Sequence, residues 1–114
     1  MFQRLSERLQ GPAVPEVDID EAERRQGNGR LLVDVRERTE WNEARIPGAV
    51  HIPLGELARR TGELDATRPV VTFCRSGNRS EAAVQILQRA GYADASSMAG
   101  GIVAWARAGK PVER

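Results

Sequence analysis

The run Pro69-Val70-Val71-Thr72-Phe73 constrains the fold more than any other stretch of this chain. It is β-branched and aromatic, with proline at its first position, and so reads as a strand. It passes directly into a polar, glycine-containing stretch over residues 74–79. From there it enters Ser80 to Ala90, where Ala83, Val84, Leu87 and Ala90 make one apolar helical face. Gly91 follows as a C′ glycine. A strand that turns into a helix within one short loop is half of a crossover, and crossovers build parallel sheets.

The same punctuation recurs along the chain. Glu16 to Ile19 reads as a brief strand, and Asp20 as the N-cap of a helix through Gln26, closed by the turn Gly27-Asn28-Gly29. Leu31 to Val35 is a buried-strand candidate. A helix of one to two turns is expected over Thr39 to Ala44, and Pro47-Gly48 breaks it. Ala49 to Ile52 gives a further brief strand, Pro53 opens a helix through about Arg60, and Gly62 to Arg68 is loop. Ala95 to Met98 is the last strand candidate. Gly100-Gly101 makes a turn, and Ile102 to Ala108 a closing helix. Short strands alternating with short helices predict an α/β fold with a mainly parallel sheet.

The chain has 114 residues, room for one modest core, and residues 15–114 are expected to form a single domain. Residues 1–14 read as an appendage, with Phe2, Leu5 and Leu9 on one stripe of a short amphipathic helix that Gly11-Pro12 stops. Apolar runs fall far short of a membrane span, and no basic segment followed by a long apolar run opens the sequence, so neither membrane insertion nor secretion is expected. Seventeen basic residues against sixteen acidic ones leave a net charge of +1, without the excess that nucleic-acid binding needs. There is one cysteine, Cys74, which forbids an internal disulfide or a cysteine metal cluster and suits a reducing, cytoplasmic compartment.

Cys74 stands at the carboxyl end of the strongest strand, where parallel α/β folds place their ligands. Asn78 and Glu81 have capping-box spacing, which starts a helix near Arg79 and aims its free N–H groups back at the sulfur. Arg75 and Arg79 flank the loop with permanent positive charge. A helix N-terminus, cationic neighbours and consecutive loop amides all favour a thiolate, so Cys74 reads as a nucleophile in an anion-binding cradle. The alternative is a small buried residue beside a solvated turn.

An ordered set of motifs now resembles a known family. Leu32-Val33-Asp34-Val35-Arg36, Trp41, Ile46-Pro47-Gly48-Ala49-Val50-His51-Ile52-Pro53, Cys74 to Ser80, Gly100-Gly101, Trp105, Gly109 and Pro111-Val112 are similar to a single-domain rhodanese, over about Val17 to Val112. The resemblance implies a mostly parallel five-stranded sheet flanked by helices on both faces. It implies a sulfurtransferase in which Cys74 takes the sulfane sulfur of a donor such as thiosulfate. The persulfide then passes its outer sulfur to cyanide or a cellular thiol. Loop residues Arg75, Ser76, Gly77, Asn78 and Arg79 would hold the persulfide and the anionic donor, with Ser80, Asp34 and Arg36 in support. No metal or organic cofactor is implied.

Four residues separate Cys74 from Arg79, whereas the similar cell-cycle phosphatases have five, so the shorter loop fits sulfur better than phosphate. Arg45 stands where the family often has histidine. Asp34 and Arg36 are one strand period apart and read as a structural pair. Trp41 and Trp105 read as packing residues, and His51, the one histidine, as a structural residue. Two other functions remain open on sequence grounds: a non-catalytic binding or regulatory module, and a persulfide carrier dedicated to one partner protein. An intact Cys74 with both arginines argues against the first.

Overall fold

Strands β2 (Leu31–Asp34) and β4 (Val70–Phe73) pair in parallel along their whole length, with Leu31 opposite Val70 and Asp34 opposite Phe73. They form the centre of the sheet in a computed structural model that describes residues 14–114. The helix expected on Phe2, Leu5 and Leu9 lies outside the described residues. Strand β3 (Val50–His51) joins β2, while β5 (Ala95–Met98) joins β4 and β1 (Glu16–Val17) joins β5. The order of the five strands is β1-β5-β4-β2-β3, and every pairing in it is parallel.

The apolar runs of β2 and β4 exist because both faces of the sheet are covered. Val33, Val35, Val70 and Cys74 belong to a core shared with α3 (Leu54–Arg60) and α4 (Asn78–Arg89), through Leu57, Ala83, Val84 and Leu87. Leu32, Val71 and Phe73 meet α1 (Ile19–Gly27) and α5 (Gly101–Arg107) on the other face, through Ala22, Ile102 and Trp105. Each large side chain buried in this way contributes about 1.5–3 kcal/mol, so the strand end that carries Cys74 has a rigid floor. Helix α2 (Arg38–Glu43) follows β2 and has no buried residue; polar contacts hold it instead.

Three local expectations are corrected. The N-cap of α1 is Asp18, not Asp20: β1 ends at Val17, Asp18 is extended, and its carboxylate accepts the Glu21 N–H at 2.8 Å. The stretch expected as loop begins with a 3₁₀ turn, Thr61–Glu63, where Arg60 bonds Glu56 and Glu63. The capping box of Asn78 and Glu81 does not form. Gly77 is the N-cap, with φ of 131°, so the chain enters α4 one residue earlier and Asn78 is already helical. At the other end Gly91 behaves as expected: its N–H bonds Gln88 and the Tyr92 N–H bonds Leu87, a Schellman closure.

Candidate active site

Cys74 is the first residue past β4, and the chain then wraps around its sulfur. The Gly77 N–H donates to Sγ at 3.1 Å, and Ser80 Oγ lies 3.6 Å from it. The loop turns its amides inward because its carbonyls are held outward. Ile102 and Val103, in the first turn of α5, donate their N–H groups to the carbonyls of Cys74 at 2.9 Å and Arg75 at 3.2 Å. Contact is so close that only glycine fits at position 101, where φ is +60° and a Cβ would stand 2.3 Å from the Arg75 oxygen.

Ser80 is fully buried and ties the loop to the sheet. Its Oγ donates to the Gly77 carbonyl at 2.9 Å and lies 2.7 Å from Ser97 Oγ on β5, while Thr72 Oγ1 donates to the Ser80 carbonyl at 2.8 Å. These contacts set the acidity of the thiol. Burial pushes it up, but hydrogen bonds from the Ser80 hydroxyl and from the amides of Ser80, Gly77 and Ser76 outweigh burial and bring it below its ordinary value.

The two loop arginines are placed differently. Arg79 is held by Glu40 of α2, Nη1 to Oε1 at 2.6 Å and Nη2 to Oε2 at 3.0 Å. The Arg79 guanidinium, against a smaller opposing effect of burial, is the main reason the Glu40 carboxyl is held at about 2. Arg75 is exposed and lines a groove of about 430 Å³ with Arg36, Glu40, Ile102, Val103 and Ala106. Ser76 on the loop and Asn78, the first residue of α4, are exposed beside it.

Asp34 and Arg36 form a buried ion pair at the end of β2, with Arg36 Nη2 2.7 Å from Asp34 Oδ2. The same guanidinium donates to the carbonyls of Ala44 at 2.7 Å and Glu40 at 3.4 Å, so it fixes α2 and, through it, the carboxylate that grips Arg79. His51 Nε2 sits 2.8 Å from the Arg36 carbonyl, and its ring stacks on Trp41 at 4.9 Å. Trp105 is buried and donates its indole N–H to Pro111 at 2.7 Å. Arg45 bridges to Glu113 through both backbone groups and a side-chain contact of 3.3 Å.

A thiol at a strand end, ringed by amides and followed by a helix, is the geometry that the family comparison supports: the model for the rhodanese-like domain matches residues 18–108. The chain belongs to the rhodanese-like domain family. It is 42% identical over 82 residues to a sulfurtransferase of Allochromatium vinosum, covering 72% of this chain and 77% of that one. It is 34% identical over 95 residues to a putative sulfur carrier protein of Bacillus subtilis, covering 82% of this chain and 51% of that one. Among solved structures, a rhodanese-related protein of Thermoplasma volcanium superposes with a TM-score of 0.80 at 28% identity, over 87% of this chain and 97% of that one. Sulfur transfer is the activity that membership in this family supports.

The rhodanese-like architecture brings together three residues that the sequence reading did not single out for the site. Glu40 is 39 positions from Arg79, and Ser97 is 17 from Ser80, so no local spacing links either pair. Gly101 read as a turn glycine. The double glycine ahead of a helix was the available signal that a backbone passes close by.

Proposed function

We propose that this rhodanese-like domain transfers sulfane sulfur through a Cys74 persulfide, with thiosulfate as a donor and cyanide or a cellular thiol as acceptor. The Cys74 thiolate attacks the outer sulfur of thiosulfate; an S–S bond forms as the donor's S–S bond breaks, and sulfite leaves with the electron pair. The acceptor then attacks the outer sulfur of the persulfide, forms its own bond to it and returns Cys74 as the thiolate. No net oxidant is required. The observation that carries this reading is the inward-facing loop, whose Gly77 amide already donates to Sγ. Inward amides stabilise a terminal sulfur anion as they do a thiolate. Arg75, exposed at the groove, supplies the charge that attracts an anionic donor, while Arg79 braces the loop on Glu40. Asn78 and Ser76 complete the loop rim. A reducing, cytoplasmic setting suits a single cysteine that must return to the thiolate between turnovers.

The likeness to a sulfur carrier protein favours a second reading of the same site, in which the acceptor is the thiol of a partner protein. Steady-state kinetics with thiosulfate and cyanide test the first. Ping-pong behaviour, with parallel double-reciprocal lines, is expected. Intersecting lines would mean direct transfer without a persulfide. Unloading of a preformed persulfide that is fast only with a partner thiol would favour the carrier.

A further inference from the structure

We infer that Ser97 is a positioning residue for the Cys74 thiolate, acting through Ser80. The inference rests on the sulfur-transfer reading only in giving the thiolate a purpose. Its structural basis is a count of protons in a buried cluster. Ser97 and Ser80 are both fully buried, with their oxygens 2.7 Å apart. One hydrogen bond joins them, and the surroundings decide its direction. Among the described residues Ser97 Oγ has Ser80 Oγ as its side-chain partner, and no buried side-chain polar atom is left unpaired. A Ser97 proton turned elsewhere would be buried without an acceptor, which costs more than the bond returns. Ser97 therefore donates, and Ser80 accepts.

Ser80 then has one proton and two acceptors within reach, the Gly77 carbonyl at 2.9 Å and Cys74 Sγ at 3.6 Å. With a neutral thiol, the proton goes to the carbonyl and the S–H points at Ser80 Oγ. A thiolate can only accept, so the Ser80 proton swings to the sulfur. The Gly77 carbonyl is not orphaned by that swing, because it also accepts the Glu81 N–H at 3.2 Å. Ser97 favours the swing, because a hydroxyl that accepts a bond donates a stronger one. Thr72, bonded to the Ser80 carbonyl, keeps the hydroxyl aimed. Each ionisation of Cys74 thus rotates one hydroxyl proton and leaves every partner satisfied.

The test is the pH dependence of Cys74 alkylation by iodoacetamide in the full chain, with folding of each variant checked by thermal melting. Ser97→Ala is expected to raise the midpoint by about 0.1–0.6 pH unit, because the Ser97 bond is present with thiol and thiolate alike and only its strengthening of the Ser80 bond to sulfur counts. In a Ser80→Ala background the same change is expected to leave the midpoint where Ser80→Ala alone puts it. The charged groups near the thiol, Arg75, Arg79 with Glu40, and Asp34 with Arg36, are the same in all four proteins. A Ser97→Ala midpoint equal to that of the parent, or an equal shift in both backgrounds, would overturn the inference. The readout needs no sulfur donor. A chain that accepts no sulfur but shows this pattern would sink the proposed function and leave the Ser97 role standing.

Discussion

Both carboxylate oxygens of Glu40 are bound by the guanidinium of Arg79, at 2.6 and 3.0 Å, across a gap of 39 residues. The contact joins α2 to the first turn of α4, just past the loop that wraps Cys74, and Glu40 also accepts the Glu37 N–H at 3.1 Å. The guanidinium of Arg79 is thereby engaged by Glu40, while Arg75 on the loop is exposed.

The sign of the pH effect at Glu40 follows from its lowered pKa. Its folded value falls from the ordinary 4.5 to about 2, so the pair stabilises the fold above about pH 4.5 and that stability is lost as pH falls towards 2. Glu40→Gln is expected to cost about 1 kcal/mol or less at pH 7, because the pair is partly solvated. Urea melts at pH 7 and at progressively lower pH check this: the gap between the two proteins should close on acidification.

Arg75→Ala is expected to raise KM for thiosulfate several-fold with little change in kcat. Arg75 is exposed and would attract ground state and transition state alike, which is uniform binding. Steady-state assays at two ionic strengths check it, since added salt should weaken the parent more than the variant.

Gly101→Ala should damage fold and site together. A Cβ there would meet the Arg75 oxygen at 2.3 Å and the Cys74 oxygen at 2.5 Å, in a left-handed conformation besides. A loss of about 3 kcal/mol is expected, with slower alkylation of Cys74, because the carbonyls that hold the loop amides inward would be displaced. Thermal melts and alkylation rates on one sample measure both.

The buried pair of Asp34 and Arg36 gives a purely structural prediction. Arg36→Ala leaves a fully buried carboxylate without its partner and α2 without the bonds to Ala44 and Glu40. A cost of about 3–5 kcal/mol is expected in urea denaturation. The pairing itself was legible from two charged residues one strand period apart at a strand end, and so was the strand that carries Cys74. The long apolar runs announce β2 and β4 because both faces are covered. Strand order is not legible, because β1 and β3 contribute two residues each and no side-chain pattern says which edge they take. At Gly77 the sequence misleads by one position: Asn78 has the type and spacing of a cap, yet the glycine before it bends the chain first. The links from Glu40 to Arg79 and from Ser97 to Ser80 depend on β4 lying between β2 and β5, which no local spacing announces, and so only the structure reveals them.

The lowered pKa of the Cys74 thiol carries a linkage of its own. A group less basic in the folded chain than in the unfolded one adds stability as pH rises from its folded value to its unfolded value, and that stability is lost as pH falls back through the folded value. The melting temperature of the parent should therefore climb relative to Cys74→Ser across that window. Paired scans from neutral to alkaline pH measure it.

The central claim is that Cys74 carries a transferable sulfur, and intact mass spectrometry tests it most directly. Reduced protein is treated with thiosulfate, then with cyanide, beside Cys74→Ser. The account predicts a gain of one sulfur atom, absent in the variant and removed by cyanide with release of thiocyanate. A mass unchanged by thiosulfate, or a gain that Cys74→Ser shares, would contradict it.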